Sequence, residues 1–251
     1  LLAPRSAAAG PIVPLGYVAV TPCRVANTVP GAPLDASGAG ATRTFQIAGN
    51  GPAIAAQGGT AGGCGVPVGA PQVEIAVTVI GPSAAGYLRA YAAGTVEPGS
   101  TFMNFADNVS MTNSAPLPLS AGGGLTLTTH QGAVDVVIEV LGYFDAVATL
   151  RFDPVAPCRV FNSTAGAPLA SGEVRDLQVA GTGAAFATQG GKAGGCGVPD
   201  DAAAAELVLT AVGPDSNGYA RVAQSPGVAL VTTGPGITNT VTPIAGSWSD
   251  S

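Results

Sequence analysis

The sequence predicts an all-β chain: two tandem antiparallel β-sandwich domains, Ig-like or jelly-roll in general form, each stapled by one disulfide. Three observations carry this expectation. Glycine (37) and proline (21) together approach a quarter of the 251 residues, and the 47% hydrophobic fraction is mostly alanine and valine, which favours short strands and turns over long helices. YVAVTPCRVANTVPGAPL at 17–34 recurs as FDPVAPCRVFNSTAGAPL at 152–169, an offset of 135, and AIAAQGGTAGGCGVP around Cys64 recurs as AFATQGGKAGGCGVP around Cys196, an offset of 132. The four cysteines fall at equivalent places in the two copies, so Cys23 is expected to pair with Cys64 and Cys158 with Cys196, with buried free thiols as the alternative.

Taken in chain order, residues 1–16 (LLAPRSAAAGPIVPLG) form an extension, 17–145 the first repeat, 146–151 a linker and 152–251 the second repeat. In the first repeat RTFQIA (43–48), VEIAVTVI (73–80), GYLRAYA (86–92), GLTLTT (124–129) and VDVVIEVLGYF (134–144) read as strands, separated by Gly- and Pro-containing turns. In the last of these Val134, Val136, Ile138, Val140 and Phe144 are placed on one face, with Asp135 and Glu139 on the other. ELVLTAV (206–212) is the second-repeat counterpart of the 73–80 strand. About seven or eight strands in roughly 130 residues is the density of a two-sheet sandwich.

Composition removes several function classes. A net charge of −6 and a single lysine, Lys192, leave no basic stripe for phosphates, so no nucleic-acid partner is expected. Mean hydropathy is +0.40, yet Gly, Pro, Asn or a charge cuts every apolar run short of the roughly 20 residues a membrane span needs. With paired cysteines and no leader-like segment, the chain reads as a mature protein secreted to an oxidising compartment, extracellular or at the cell surface.

The string Pro22-Cys23-Arg24-x-x-Asn27-Thr28, the GYLRAYAAG segment, the later Thr112-Asn113 and the closing Gly142-Tyr143-Phe144 together resemble a β-sandwich repeat of secreted bacterial proteins. That family usually reads Pro-Cys-Arg-x-x-Asp-Thr-Arg. Here Asn27 and Asn162 replace the Asp, and Val29 and Thr164 replace the final Arg. The resemblance spans nearly the whole chain and implies a sandwich fold in surface or accessory repeats, without an activity.

From Asn113 the first repeat runs 31 residues to Phe144, whereas 12 residues follow the equivalent Asn239. The second repeat is therefore expected to lack its closing strand. Four or five core side chains at about 1.5–3 kcal/mol each amount to about 6–15 kcal/mol, comparable to a whole domain's stability. A strand donated by a neighbour would fill the gap. The extension supplies candidate donor side chains, Leu1, Leu2, Ile12, Val13 and Leu15, although Pro4, Pro11 and Pro14 suit a long strand poorly and a plain tail is the other reading. The acceptor candidates are Leu207, Leu209 and Ala211.

The remaining polar residues read as structural. Arg24 and Arg159 are expected to bind backbone carbonyls or the closing strand, His130 to lie in a solvated turn, and Glu74 and Glu206 to be rim carboxylates of separate domains near Arg89 or Arg221. Asp200, Asp201 and Asp215 belong to turns that lack calcium-loop spacing, and the glycine-rich loops lack the Lys-Ser/Thr of a phosphate loop. Asn108 and Asn162 begin formal glycosylation sequons. No catalytic residue, metal or cofactor is assigned. The expected function is a non-enzymatic subunit of an extracellular filament, self-assembled head to tail by strand complementation. The alternative is a secreted adhesin or carbohydrate-binding module.

Overall fold

The computed structural model describes residues 15–29, 31, 33–35, 41–153, 155–164, 166–215, 220, 222 and 248–249. It is mostly strand, in antiparallel sheets, with almost no helix. The first repeat holds β1 (Gly16–Asn27), β2 (Leu34–Asp35), β3 (Ala41–Gln46), β4 (Gln72–Ile80), β5 (Gly86–Ala92), β6 (Met103–Phe105), β7 (Met111–Pro118), β8 (Gly124–His130) and β9 (Ala133–Asp145). One sheet runs β1-β9-β4-β7, with β2 also on β9, and the other runs β3-β8-β5-β6. Val73, Ile75, Val77 and Val79 of β4 face Phe45, Leu88, Leu125 and Leu127 of the second sheet's strands within one core. Period-two alternation sends these side chains inward and leaves the polar set on the outer faces.

The two central strands are consecutive in sequence but lie in different sheets. β8 is flanked by β3 and β5, and β9 by β1 (then β2) and β4. The chain crosses the core edge at Gln131 (φ 64°) and Gly132 (φ 72°), a left-handed corner that glycine adopts without strain. This β8–β9 arch thus contacts five of the first repeat's other seven strands.

A register shift between Glu74 and Ile75 pairs them with Gly142 and Val140 and leaves Leu141 as an extra residue on β9. Alternation reverses there. Val134, Val136, Ile138 and Val140 are buried in the core as expected, but Tyr143 packs on the core side in place of Phe144. Phe144 turns to the outer face, where its ring meets Tyr17 edge-on at 5.3 Å. The Tyr17 ring lies over Gly142, where a Cβ would come within 2.2 Å of it, and its hydroxyl donates to the Leu141 carbonyl at 3.0 Å.

Both disulfides are formed, Cys23–Cys64 and Cys158–Cys196, each with Cα atoms 5.6 Å apart. Each pins a loop that carries one short helix, α1 (Pro52–Ala56) or α2 (Ala184–Thr188), which buries a single apolar residue, Ile54 or Phe186. Beyond this lobe the second repeat departs from expectation. Residues 206–212 form no strand, and Val208 and Val212 are 84% and 69% exposed. The remaining strands are β10 (Arg151–Phe152) and β11 (Trp248–Ser249), a two-residue pair.

Candidate functional site

The Pro-Cys-Arg-x-x-Asn-Thr string of the first repeat is a clasp for β9. Cys23 stands opposite Val140 and Asn27 opposite Val137. The Arg24 Nη2 donates to Glu139 Oε1 at 3.4 Å. Thr28 makes three bonds to the incoming strand: its hydroxyl donates to Asp135 Oδ1 at 2.7 Å and accepts from the Val136 amide at 2.8 Å, and its amide donates to the Val136 carbonyl at 3.0 Å. The Asn27 side chain accepts from the Val29 amide at 3.0 Å, a local turn that aims Thr28 at the strand.

The same lobe is built in the second repeat, bond for bond. Gln57 accepts from the Gln46 amide at 3.0 Å and donates to the carbonyls of Val25 and Gln46, both at 2.7 Å. Gln189 accepts from the Gln178 amide at 3.1 Å and donates to the carbonyls of Val160 and Gln178, at 2.6 and 2.8 Å. The Asn162 side chain accepts from the Thr164 amide at 3.0 Å, as Asn27 does from Val29. Arg175 donates to the Pro168 carbonyl as its counterpart Arg43 does to Pro33.

What differs is the strand half. Val25, Phe45, Ile47, Ile75 and Val77 are buried in the first repeat, whereas their counterparts Val160, Leu177, Val179, Leu207 and Leu209 are half-exposed. Beside the lobe lies an open cleft of about 520 Å³, lined among others by Phe161, Asn162, Arg175, Leu177 and Gln189. The first-repeat counterparts of four of these, Ala26, Asn27, Arg43 and Phe45, face Ile138, Val137, Leu127 and Leu125 of the β8–β9 arch. The cleft therefore lies beside segments whose first-repeat counterparts pair with the arch.

Of the candidate acceptor residues, Leu207 and Leu209 are half-exposed and Ala211 is exposed. The wall given by Phe161, Arg175 and Leu177 was not foreseen from sequence, although the repeat register combined with strand pairing identifies it. Of the candidate donors, Leu1, Leu2, Ile12 and Val13 lie outside the described residues, and Leu15 precedes β1. Arg159 is exposed, and its carbonyl accepts from the Lys192 amide at 2.8 Å, matching Arg24 and Thr60.

Three expectations for polar residues are corrected. His130 ends β8 and is not a free turn residue: its Nε2 lies 2.6 Å from Glu97 Oε1, and its ring stacks on Tyr87 at 4.6 Å. Arg89 donates to the same Glu97 oxygen at 2.9 Å and covers Tyr87, so its carboxylate partner is Glu97 and not Glu74. The His130 hydrogen bond, aided by Arg89, holds the Glu97 carboxyl below the usual range. Glu74 is buried on the outer face of its sheet, and burial, together with the nearby Glu206 carboxylate, pushes it up to about 7. Burial also pushes the Tyr17 phenol up, with Glu74 adding to the effect.

No helix among the described residues is long and apolar enough to cross a membrane, and no group of three or more His, Cys, Asp or Glu side chains is placed there to hold a metal ion. Two disulfides are compatible with an extracellular or secreted location. In comparisons with known proteins, a family model described as "Thiamine pyrophosphate enzyme, N-terminal TPP binding domain" matches residues 215–251, a small share of the chain that falls mostly outside the described residues. By the repeat register this stretch includes Tyr219 and Arg221, counterparts of Tyr87 and Arg89 on the antiparallel strand β5. No curated protein and no solved structure matches the chain.

Proposed function

We propose that this chain is a non-enzymatic structural subunit of an extracellular bacterial filament or surface polymer, built from two tandem β-sandwich repeats and assembled by β-strand complementation. The observation that carries the reading is the contrast between the repeats. The same disulfide lobe, with the same glutamine bridge, is built twice, but core residues buried in the first repeat have half-exposed counterparts in the second. Strand-like segments with half-exposed Val, Leu and Phe side chains accept an added strand readily, because it satisfies backbone groups and fills the core together. Repeated between copies, a contact that does not close on itself yields a filament. Sedimentation velocity and negative-stain microscopy over a concentration series test this. Concentration-dependent polymers are expected, and a monodisperse monomer at all concentrations overturns it.

A carbohydrate-binding module is the second reading, favoured by the outer face of the β3-β8-β5-β6 sheet. Tyr91 lies opposite Thr126, yet its hydroxyl reaches Thr128 Oγ1 at 2.9 Å, so the ring leans along the sheet. A ring held in this way offers its face to a sugar. Glycan-array binding that is lost in Tyr91→Ala would favour this reading over the polymer.

A further inference from the structure

We infer that Asn162 is the acceptor for a covalently attached glycan, its carboxamide held ready by a turn that the disulfide lobe anchors. The sequence holds two formal sequons, Asn108-Val109-Ser110 and Asn162-Ser163-Thr164, and they differ in geometry. Asn162 Oδ1 accepts from the Thr164 amide at 3.0 Å and from the Thr164 hydroxyl at 2.8 Å. The Asn108 side chain makes no such turn, and the Ser110 hydroxyl accepts instead from the Gly81 amide at 3.2 Å. Asn27 forms the turn with the Val29 amide at 3.0 Å but has no hydroxyl two residues on. Among the described residues only Asn162 joins the turn to the sequon.

The lobe fixes this turn from behind. The Asn162 amide donates to the Gln189 carbonyl at 3.0 Å, Gln189 Nε2 donates to the Val160 carbonyl at 2.6 Å, and the Cys158–Cys196 disulfide ties the segment to its loop. Asn162 is half-buried and Thr164 exposed. Asn27 keeps the same half exposure where its segment is paired with β9, so access to Asn162 does not depend on what lies beside the lobe. Two donors on Oδ1 stabilise the negative charge that gathers there as Nδ2 gives up a proton, and no bond among the described residues engages Nδ2. The substrate class that suits such a nucleophile is a polyprenyl diphosphate-linked oligosaccharide. In the transfer a bond forms from Nδ2 to the anomeric carbon, and the bond from that carbon to the diphosphate oxygen breaks. The polyprenyl diphosphate leaves with the bonding pair, and the Nδ2 proton passes to a base of the transferase. A chain that is 10% charged, with a single lysine, gains hydration from the attached sugar.

The test incubates the full chain, disulfides intact, with a purified oligosaccharyltransferase that accepts the plain Asn-x-Ser/Thr sequon and a polyprenyl diphosphate-linked oligosaccharide. Intact mass and peptide mapping read the product. A synthetic peptide of residues 159–168, which carries the sequon without the lobe, shows that transferase and donor are active, and it should be modified no faster than the folded chain. One glycan per chain is expected, on Asn162, and Asn162→Gln should abolish it while Asn108→Gln leaves it unchanged. Thr164→Ala should slow transfer about tenfold or more, and Thr164→Ser, which restores the hydroxyl, should recover it. Thr164 is exposed, so both variants keep the lobe, which the retained Cys158–Cys196 disulfide verifies in the same peptide map. A peptide that is modified while the folded chain is not overturns the proposal. Transfer to Asn108 as fast as to Asn162, or transfer to Asn162 that begins only after the disulfides are reduced, overturns it as well, because the turn would then not select the site.

Discussion

At the residue scale, the two carboxylates with displaced acidity act in opposite directions. Glu74 is raised to about 7 from an ordinary value near 4.5, so the folded state favours its protonated form. Its favourable contribution is complete below about pH 4.5 and is lost as the pH climbs through about 7, at a cost on the order of 3 kcal/mol when both states are ionised. Glu97 is lowered, so its contribution is present above the ordinary carboxylate range and lost on acidification. Urea midpoints measured by far-UV circular dichroism from pH 4 to pH 8 should fall between about pH 4.5 and about pH 7 in the native chain and level off above that. Glu74→Gln should flatten that fall and raise the midpoint at pH 8. An unchanged profile in the variant would place the titration elsewhere. Gly142 gives a second test. A methyl there meets the Tyr17 ring at 2.2 Å, and Gly142→Ala should cost about 1–3 kcal/mol by overpacking, read as a lower urea midpoint.

At the element scale, legibility in the sequence tracked periodicity. β4, β5, β8 and β9 are strands whose alternation or apolar run is carried by Val, Ile, Leu and Tyr, and their bounds fall within one residue of the expected segments. β1 was masked by Pro22 and by two register shifts that interrupt its pattern. β7 contains Pro116 and Pro118, which an edge strand tolerates because one row of its amides has no ladder partner. The flip of Phe144 was invisible because a bulge is a property of the pairing, not of one strand. The arrangement at Glu97 was also illegible, since it needs a loop to fold back across β5 onto β8. The lobe was the most legible part, and it suggests an asymmetric response to reduction. Each disulfide closes about 40 residues, worth about 4 kcal/mol in the chain-entropy model. Replacing Cys23 and Cys64 by Ser should weaken the first repeat but leave its sheets formed. Replacing Cys158 and Cys196 should abolish amide protection across 158–198, where the lobe lacks a closed core behind it. Equal losses in both pairs, measured by hydrogen exchange, would show that the second lobe is supported by more than its disulfide and glutamine network.

At the scale of the whole molecule, the arch completes the core of the first repeat by placing an inner strand in each sheet. The two sheets of the first repeat share no strand, and the β8–β9 connection sends an inner strand to each. Removing it leaves each sheet with edge pairs too short to stand alone in water. In the second repeat the described residues form the lobe, while 173–178 and 206–212 form no strand. The prediction that follows is covalent. By the repeat register Ser251 corresponds to Leu125, so a chain carrying a second copy of residues 126–145 directly after Ser251 presents the arch to the second repeat in register. Such a chain should gain strand signal in the far-UV spectrum, protect amides at 158–162, 173–178 and 206–212, and bury Leu177, Leu207 and Leu209 as Phe45, Ile75 and Val77 are buried. With the cleft filled from within, it should form no polymers. Polymerisation that survives the fusion, with the new amides protected, would place the subunit contact on another surface. A fused chain with no added protection would mean that the second repeat does not take the fold of the first.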